Sequence, residues 1–306
     1  MDAGPRSELA VVNSSDSSLT SGATPAGDVR FGFGENWTRF LTTLNEGRIL
    51  QACESLKKWH GVQSFEGRTF LDVGSGSGLF TLAARRLGAR VHSLDYDLNS
   101  VACTAELKRR FFPDDPNWVV ERGDALDAGY MASLGTWDVV YSWGVLHHTG
   151  QQWKGLTNVV PCVAPGGTLH LALYNDQGRW SDIWTGIKRG YNAIPTWLRT
   201  AYVTAVLIPR EIRSFGIHLL RGRPVAYFRN IWNYSESSLR GMNWWHDQVD
   251  WIGGYPFEVS TPEEVFDFYH DRGFDMARLR TCRAGLGCNE FLFTRRREVA
   301  AISRAD

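Results

Sequence analysis

The sequence has few cysteines, no net charge and no long apolar run. Its 306 residues include five cysteines, none in a C-x-x-C pair, and this spacing favours neither a zinc site nor a disulfide framework. The 33 basic and 33 acidic residues cancel, so we expect no general attraction to nucleic acid. No run approaches the roughly 18–20 apolar residues that span a bilayer, and no apolar signal segment opens the chain. These absences predict a cytoplasmic protein without a metal site. They give no information on the oligomeric state.

The stretch that organises the chain is a short apolar segment ending in three alternating glycines, residues 69–78. The segment Thr69–Val73 is typical of a buried parallel strand, and the glycines allow a tight turn before a helix that begins at Leu79. A strand, a loop and a helix N-terminus that faces a ligand are therefore predicted. The G-x-G-x-G spacing differs from that of a dinucleotide-binding turn, and Asp72 ahead of it would repel a pyrophosphate and attract an ammonium group.

Acidic residues also follow the next two predicted strands. Residues 90–95 predict a parallel strand that ends at Asp95. An acid at this position accepts hydrogen bonds from both ribose hydroxyls in nucleoside-binding folds, and Asp95 is the first choice for that role with Asp97 as the alternative. Residues 118–122 predict a third strand, which leads into the turn Gly123-Asp124-Ala125. For Asp124, a ligand contact and a helix N-cap both stay open.

The order of these motifs resembles the class I S-adenosylmethionine-dependent methyltransferases. The acid-led glycine loop, the G-D-A turn and the turn Pro165-Gly166-Gly167 come at successive strand ends. The likeness covers residues 68–174 and 262–295. It implies an α/β fold: a Rossmann-like seven-stranded sheet with helices on both faces, closed by a helix from Pro262 to Gly273 and an antiparallel hairpin.

The resemblance also implies S-adenosylmethionine as cofactor. Asp124 would lie against the adenine amino group, and residues 142–144, after a fourth strand that begins at residue 137, would pass under the sulfonium. The cofactor-binding residues predicted in this way are Asp72, Gly74, Ser75, Gly76, Gly78, Leu79, Asp95, Tyr96, Asp97, Gly123, Asp124, Ala125, Ser142, Trp143 and Gly144.

Composition divides the chain into six parts. Residues 1–29 predict a disordered tail because they carry no aromatic residue, and residues 30–67 an aromatic cap and a helix. The cap, rich in Phe with Trp37, packs on the core, covers the cofactor pocket, or does both. The core occupies residues 68–175, with a helix expected at 156–163. A mainly helical lid is inserted at 176–260, the last helix and hairpin follow at 261–297, and 298–306 is a tail.

The insertion, residues 176–260, contains seven of the 13 tryptophans. Segments 181–191 and 201–208 look helical, separated by prolines at 195, 209 and 224. Segment 201–208 is apolar with arginines nearby, so a buried helix and a peripheral contact with a membrane both stay open. Residues 244–258 interleave polar and aromatic side chains, which predicts an acceptor site there or a structural strap. The predicted substrate-binding residues are Trp37, Tyr174, Trp245, Asp250, Trp251 and Tyr255.

Three histidines are candidates for a general base: His246 in the insertion, and His147 and His148 after the fourth strand. Because neighbours on a turn point in different directions, at most one of the vicinal pair should face the acceptor. The function expected is methyl transfer to a small-molecule or lipid-like acceptor, most often a hydroxyl, in biosynthetic metabolism, with no nucleic-acid partner. An RNA or protein methyltransferase, or a cofactor-binding interaction protein without catalysis, are the alternatives.

Overall fold

The computed structural model describes residues 41, 44–234, 244–283, 285 and 287–297, apart from the side chain of His246. The two predicted tails and the aromatic segment with Trp37 lie outside these residues.

The described residues form one seven-stranded sheet. Its strands are β1 (Thr69–Val73), β2 (Arg90–Asp95), β3 (Trp118–Arg122), β4 (Trp137–Trp143), β5 (Val163–Tyr174), β6 (Phe274–Arg280) and β7 (Cys288–Arg295). Their order is β3-β2-β1-β4-β5-β7-β6. Strands β1 to β5 run parallel, and β7 runs antiparallel to both β5 and β6. The predicted fold is confirmed, and its topological switch point lies between β1 and β4, where open α/β sheets bind ligands outside the carboxyl ends of the strands.

Helices cover both faces of the sheet. Their bounds are α1 (Glu46–His60), α2 (Leu79–Arg86), α3 (Leu98–Phe111), α4 (Ala128–Ser133), α5 (Gln152–Val159), α6 (Arg179–Ala193), α7 (Thr196–Leu220), α8 (Pro224–Trp232), α9 (Trp244–Gly253) and α10 (Pro262–His270). Helices α1, α2 and α3 bury Leu56, Leu82 and Leu107 in one core. Helices α5 and α10 bury Leu156 and Tyr269 in the other. Apolar burial on two faces positions the strand ends at an exposed edge.

The insertion has a small core of its own. Tyr191, Val203, Leu207 and Ile252 are buried there, from helices α6, α7 and α9. Its two ends meet beside β5, since the Ser260 amide donates to the Tyr174 carbonyl at 3.0 Å and the Asp176 amide to the Ser260 carbonyl at 3.1 Å. The predicted mainly helical character of this segment agrees with the described helices α6 to α9.

Three predicted boundaries of helices and strands were wrong. Pro209 does not end a helix but lies inside α7. Its ring is exposed. Because proline has no backbone N–H, the carbonyl four residues earlier has no amide partner, and that carbonyl is also on an exposed side of the helix. Helix α5 begins at residue 152 rather than 156, because both carboxylate oxygens of Glu258 lie 3.0 Å from the Gln152 amide that they cap. The Pro165-Gly166-Gly167 turn is a bulge within β5, which pairs with β4 at Val163 and again from Thr168.

Candidate active site

The glycine loop lies between the end of β2 and the turn after β4. The amides of Gly74 and Ser75 both donate to the Leu94 carbonyl, at 2.8 and 3.0 Å. Gly74, Gly76 and Gly78 have φ of 86°, 53° and 76°, the left-handed region that favours glycine. A Cβ on Gly74 would stand 2.3 Å from a methyl group of Val145. The loop is therefore held close to the sheet edge, and larger residues at position 74 are excluded.

Asp95 fixes this loop through its carboxylate. Its Oδ2 accepts from the Gly76 amide at 2.9 Å and its Oδ1 from the Asp97 amide at 2.9 Å. The Tyr96 amide donates to the same carboxylate, and about one of its four acceptor positions is left for a ribose hydroxyl. Burial is the main cause that raises the pKa of Asp95 to about 6. The Asp97 side chain instead caps α3 at the Asn99 amide, 2.8 Å away, so the ribose role stays with Asp95 as a proposal.

Asp72 is buried beneath the loop. Its carboxylate accepts a hydrogen bond from the Thr81 hydroxyl on α2. Burial raises the pKa of Asp72 to about 7, the Thr81 hydrogen bond opposes this, and the Asp95 carboxylate adds to it. A cation bound above the loop would favour the ionised form. Leu79 is buried in the core with an exposed fraction of 5%, so its side chain does not line the loop.

The adenine end of the predicted site follows β3. The Gly123 amide donates to the Asp95 carbonyl at 3.0 Å, which joins this turn to the end of β2. Asp124 accepts from the Leu126 amide at 2.8 Å, while α4 is capped by Asp127. The helix N-cap interpretation of Asp124 is therefore wrong. Ala125 is buried.

Two more of the predicted cofactor-binding residues lie near this end of the sheet, one at the surface and one partly buried. Tyr96 has an exposed fraction of 43%, and the Arg122 guanidinium lies 5.2 Å from its ring centre. Ser75 lies deeper, where its hydroxyl is 3.0 Å from the Thr104 hydroxyl. The ring of Tyr96 is thus partly exposed and contacts Arg122 at this edge.

Residues 142–144 continue the edge at the end of β4. The Ser142 hydroxyl donates to the Val73 carbonyl at 2.9 Å, and the Gly144 amide to the Ala172 carbonyl at 3.0 Å. Trp143 is partly buried against the core under α1 and α2. The ends of β1, β4 and β5 are in this way bonded directly to one another next to the glycine loop.

The vicinal histidines occupy different environments. His147 is buried, and its Nδ1 accepts from the Tyr174 amide at 3.2 Å. His148 is partly exposed, and its Nδ1 lies 2.7 Å from the Pro256 carbonyl, so Nδ1 carries the proton. That hydrogen bond fixes the tautomer in which Nε2 of His148 holds the lone pair. His246 belongs to α9, but its side chain lies outside the described part of the chain.

Aromatic rings surround the histidines. The Tyr174 ring centre is 3.9 Å from that of His147 and 5.3 Å from that of His148. Trp251 and Phe257 contact the same tyrosine, at 5.4 and 5.0 Å between ring centres. The structure therefore brings Tyr174 and Trp251, two of the predicted substrate-binding residues, to the vicinal histidines.

Lys188 is a titratable group in this aromatic cluster that the sequence analysis missed. It is fully buried, its Nζ donates to the Trp251 carbonyl, and the Trp251 and Phe257 ring centres are 4.4 and 4.7 Å from Nζ. Burial lowers its pKa from 10.5 to about 7, and the Asp250 carboxylate opposes that change. The available signal was helical spacing, because Lys188 falls at i+4 from Trp184 and i−3 from Tyr191, both of which face the insertion core.

The stretch 244–258 crosses the turn after β4. Besides the Pro256 bond to His148, the Glu258 amide donates to the His147 carbonyl at 2.9 Å. Tyr255 is held by Arg189, whose Nε donates to its hydroxyl at 3.0 Å. Trp245 packs against the insertion core rather than against Tyr174.

An open cavity of about 620 Å³ lies at the base of the insertion. None of the predicted site residues lines it, and its walls come from the ends of β5 and β6 and the start of α10. Its lining residues are Asn175, Asp176, Gln177, Trp180, Thr261, Pro262, Glu263, Thr281 and Arg283.

The part of the chain that the structure describes has neither a cluster of metal ligands nor a membrane-spanning helix. No cluster of three or more His, Cys, Asp or Glu side chains there has the arrangement of a metal site. No helix in the same residues has both the length and the hydropathy to cross a bilayer.

Residues 71–169 match the family model for a methyltransferase domain. A curated relative, the ubiquinone biosynthesis O-methyltransferase of Caulobacter vibrioides, is 28% identical over an alignment of 173 residues that covers 53% of this chain. The match spans 61% of that protein, less than two thirds of its length.

Two solved structures are similar to this chain. The first is a magnesium protoporphyrin IX methyltransferase from Synechocystis PCC 6803 with bound SAH: 14% identity, 85% of this chain, 93% of that chain and a TM-score of 0.48. The second is a complex of the Haloferax volcanii Trm112 methyltransferase activator and a putative methyltransferase: 15% identity, 88% of this chain, 98% of that chain and a TM-score of 0.49. Both TM-scores lie below 0.5, and neither structure bears on the substrate.

Proposed function

Since this chain belongs, through residues 71–169, to the class I S-adenosylmethionine-dependent methyltransferases, we propose that the whole protein transfers the cofactor's methyl group to a hydroxyl oxygen of a small-molecule or lipid-like acceptor. The name of the Caulobacter relative, an O-methyltransferase, supports the choice of oxygen. The acceptor class rests on the aromatic cluster beside the histidines.

The residues at the switch point fit this cofactor. Val145 packs so closely on Gly74 that no Cβ fits between them, which keeps the backbone of the glycine loop bare, and the Asp95 carboxylate keeps an acceptor position for a ribose hydroxyl. The Asp95 carboxylate also supplies negative charge beside the glycine loop, and a cation bound there would favour the ionised form of Asp72. When bound, S-adenosylmethionine supplies an electrophilic methyl group on a sulfonium.

The single observation that carries the choice of chemistry is the hydrogen bond from His148 to Pro256. It places the proton of a neutral imidazole on Nδ1 and the lone pair on Nε2, the tautomer in which a general base takes the proton of an acceptor hydroxyl at Nε2. We assign that role to His148 rather than to His147, because His147 is buried and accepts a backbone amide at Nδ1.

The rings of Tyr174, Trp251 and Phe257 then serve to exclude water and to orient the acceptor. Methyl transfer needs the acceptor oxygen in line with the sulfonium carbon, so positioning is the main contribution of the protein. A flat, apolar acceptor with one hydroxyl would match these surfaces.

Turnover of S-adenosylmethionine with a panel of phenols, catechols and hydroxylated isoprenoids tests the proposal. His148→Ala should lower turnover roughly 10²–10⁴-fold and leave the affinity for S-adenosylhomocysteine unchanged. The matched control is His270→Ala, at the exposed end of α10, which should keep wild-type rates.

Three results would contradict the proposal in different ways. Full activity of His148→Ala between pH 6 and 9 would remove His148 as base. Methylation of RNA or protein substrates in place of the panel would reject the acceptor class. Tight cofactor binding with no acceptor in any class would indicate a binding protein without catalysis.

A further inference from the structure

Residues 208–232 form a helical hairpin, called here the arginine hairpin, that projects beyond the insertion core. Its first arm is the second half of α7, and its second arm is α8. The buried residues of α7 are Val203 and Leu207, both before the hairpin, and α8 has none. The two arms pack on each other through Phe215, whose ring centre lies 5.4 Å from Tyr227 and 5.9 Å from Phe228.

Helix α8 turns its apolar face outward. Val225, Phe228 and Trp232 occupy positions i, i+3 and i+7, so they lie along one side of the helix. Their exposed fractions are 75%, 60% and 88%. A surface helix of a globular protein normally directs such a stripe towards the core. Here Phe215 contacts one side of the Phe228 ring, and within the described residues most of the stripe stays exposed.

The first arm extends the same kind of surface. Ile208, Ile212 and Leu219 follow at i, i+4 and i+11 on one side of α7, with exposed fractions of 49%, 68% and 55%. Leu220, at the tip of the hairpin, is 90% exposed. Large apolar side chains are thus grouped on both arms rather than scattered singly over the surface, and grouping of this kind marks interaction sites.

The charge of the hairpin is strongly one-sided. In its 25 residues there is no lysine and no aspartate, and five arginines face a single glutamate, which gives a formal charge of +4 in a chain whose total is zero. Glu211 is already paired, with Arg210 at 2.8 Å and with the Tyr227 hydroxyl at 2.9 Å. All five arginines are exposed: Arg210, Arg213, Arg221, Arg223 and Arg229.

An apolar stripe rimmed by arginines fits a surface that is apolar inside and anionic at its boundary. A second copy of the hairpin fits it poorly, because pairing would set one +4 patch against another. Helix α8, about 14 Å long at 1.5 Å per residue, is far too short to span a bilayer but long enough to lie in its interface. Tryptophan prefers that depth, and arginine binds phosphate groups bidentately.

We propose that the arginine hairpin docks this protein on the surface of bilayers that contain anionic phospholipids. Val225, Phe228 and Trp232 enter the boundary between headgroups and acyl chains, and the arginines bind lipid phosphates around them. The proposal is independent of the methyl-transfer assignment, since its test requires no acceptor.

Flotation of the full chain with vesicles tests this surface. Vesicles of phosphatidylcholine with 30% phosphatidylglycerol are compared with phosphatidylcholine alone, at low salt and at 0.5 M NaCl. Wild type should bind the anionic vesicles, and binding should weaken at high salt. Arg221→Gln, Arg223→Gln and Arg229→Gln together should weaken it about 100-fold, from roughly fivefold for each arginine. Phe228→Ser with Trp232→Ser should weaken it by at least about tenfold.

Matched controls separate this surface from a general effect of charge or hydropathy. Leu50→Ser with Leu279→Ser removes exposed apolar residues elsewhere, and Arg90→Gln, Arg109→Gln and Arg297→Gln together remove three exposed arginines elsewhere. Both controls should bind like wild type. Because every substituted side chain is exposed, folding is checked by the affinity for S-adenosylhomocysteine, which should stay constant.

Lack of wild-type binding to anionic vesicles would overturn the proposal. Equal binding by the hairpin variants and the controls would do the same. A concentration-dependent dimer that Phe228→Ser with Trp232→Ser dissociates, without vesicle binding, would assign the surface to a second copy of the chain.

Discussion

Replacing Lys188 by methionine should make the protein more stable at neutral pH but not at pH 9. The fall in the lysine pKa from 10.5 to about 7 means that the folded state disfavours the ammonium form. Over that range the unfolded chain binds a proton that the folded chain releases, so the wild-type free energy of unfolding rises with pH. The difference between these two pKa values corresponds to about 4–5 kcal/mol, and at pH 7 and below the free energy of unfolding is lower by that amount.

Methionine has no titratable group, so the variant does not suffer this destabilisation, but methionine also cannot donate a hydrogen bond. The Trp251 carbonyl would lose its hydrogen bond from Nζ, at a cost of about 1–3 kcal/mol. We therefore expect Lys188→Met to be more stable than wild type by about 1–3 kcal/mol at pH 7. Between pH 7 and pH 9 the wild-type protein should gain about 2 kcal/mol relative to the variant, so the advantage should disappear.

Urea unfolding at pH 6.5, 7.5 and 9 measures these differences. The comparison between variants cancels the cysteines and tyrosines that also titrate at high pH. Lys154→Met, at an exposed position on α5, is the control and should differ from wild type by a constant amount. A difference between Lys188→Met and wild type that stays the same at all three pH values would refute the assignment of a neutral buried amine.

The remaining predictions concern the predicted cofactor-binding residues Asp95 and Gly74, and the N-terminus of helix α10. Asp95→Asn should weaken binding of S-adenosylhomocysteine by about 1.5–3 kcal/mol in calorimetry, whereas wild-type affinity would move the ribose role to Asp97. Wild-type affinity should also fall as the pH drops below about 6, where Asp95 becomes protonated, and Asp95→Asn should lack that fall. Gly74→Ala should abolish this binding in the same assay through its clash with Val145, and adding Val145→Ala should restore part of it. Thr261→Ala, which removes the capping box of α10, should lower the free energy of unfolding in urea by about 1 kcal/mol.

The core could be predicted because its signals are local. The strand before the glycine loop, the acid that ends β2 and the Pro-Gly helix signals of α10 all depend on neighbouring residues. The family and its cofactor followed from the order of these motifs. Even so, these local signals did not reveal how deeply the side chains of Asp72 and Leu79 are buried.

Features that depend on distant residues could not be predicted. The start of α5 depends on Glu258, which is more than a hundred residues away in sequence. The tautomer of His148 depends on the Pro256 carbonyl, and the environment of Lys188 depends on Trp251 and Phe257. Pro209 looked like a boundary because sequence does not reveal that its side of α7 faces water. Each case requires the tertiary fold.

The two ends of the insertion lie side by side at Asn175 and Ser260, joined by a bridge between those residues. A segment that leaves and re-enters a scaffold at one point is a portable unit, because a linker of a few glycines would close the same gap at a small entropic cost. The ends of β1, β2 and β4, where the cofactor is predicted to bind, do not contribute to that junction. Chimaeras with other segments grafted between Tyr174 and Thr261 would therefore test directly whether the insertion carries the proposed acceptor preference and membrane binding.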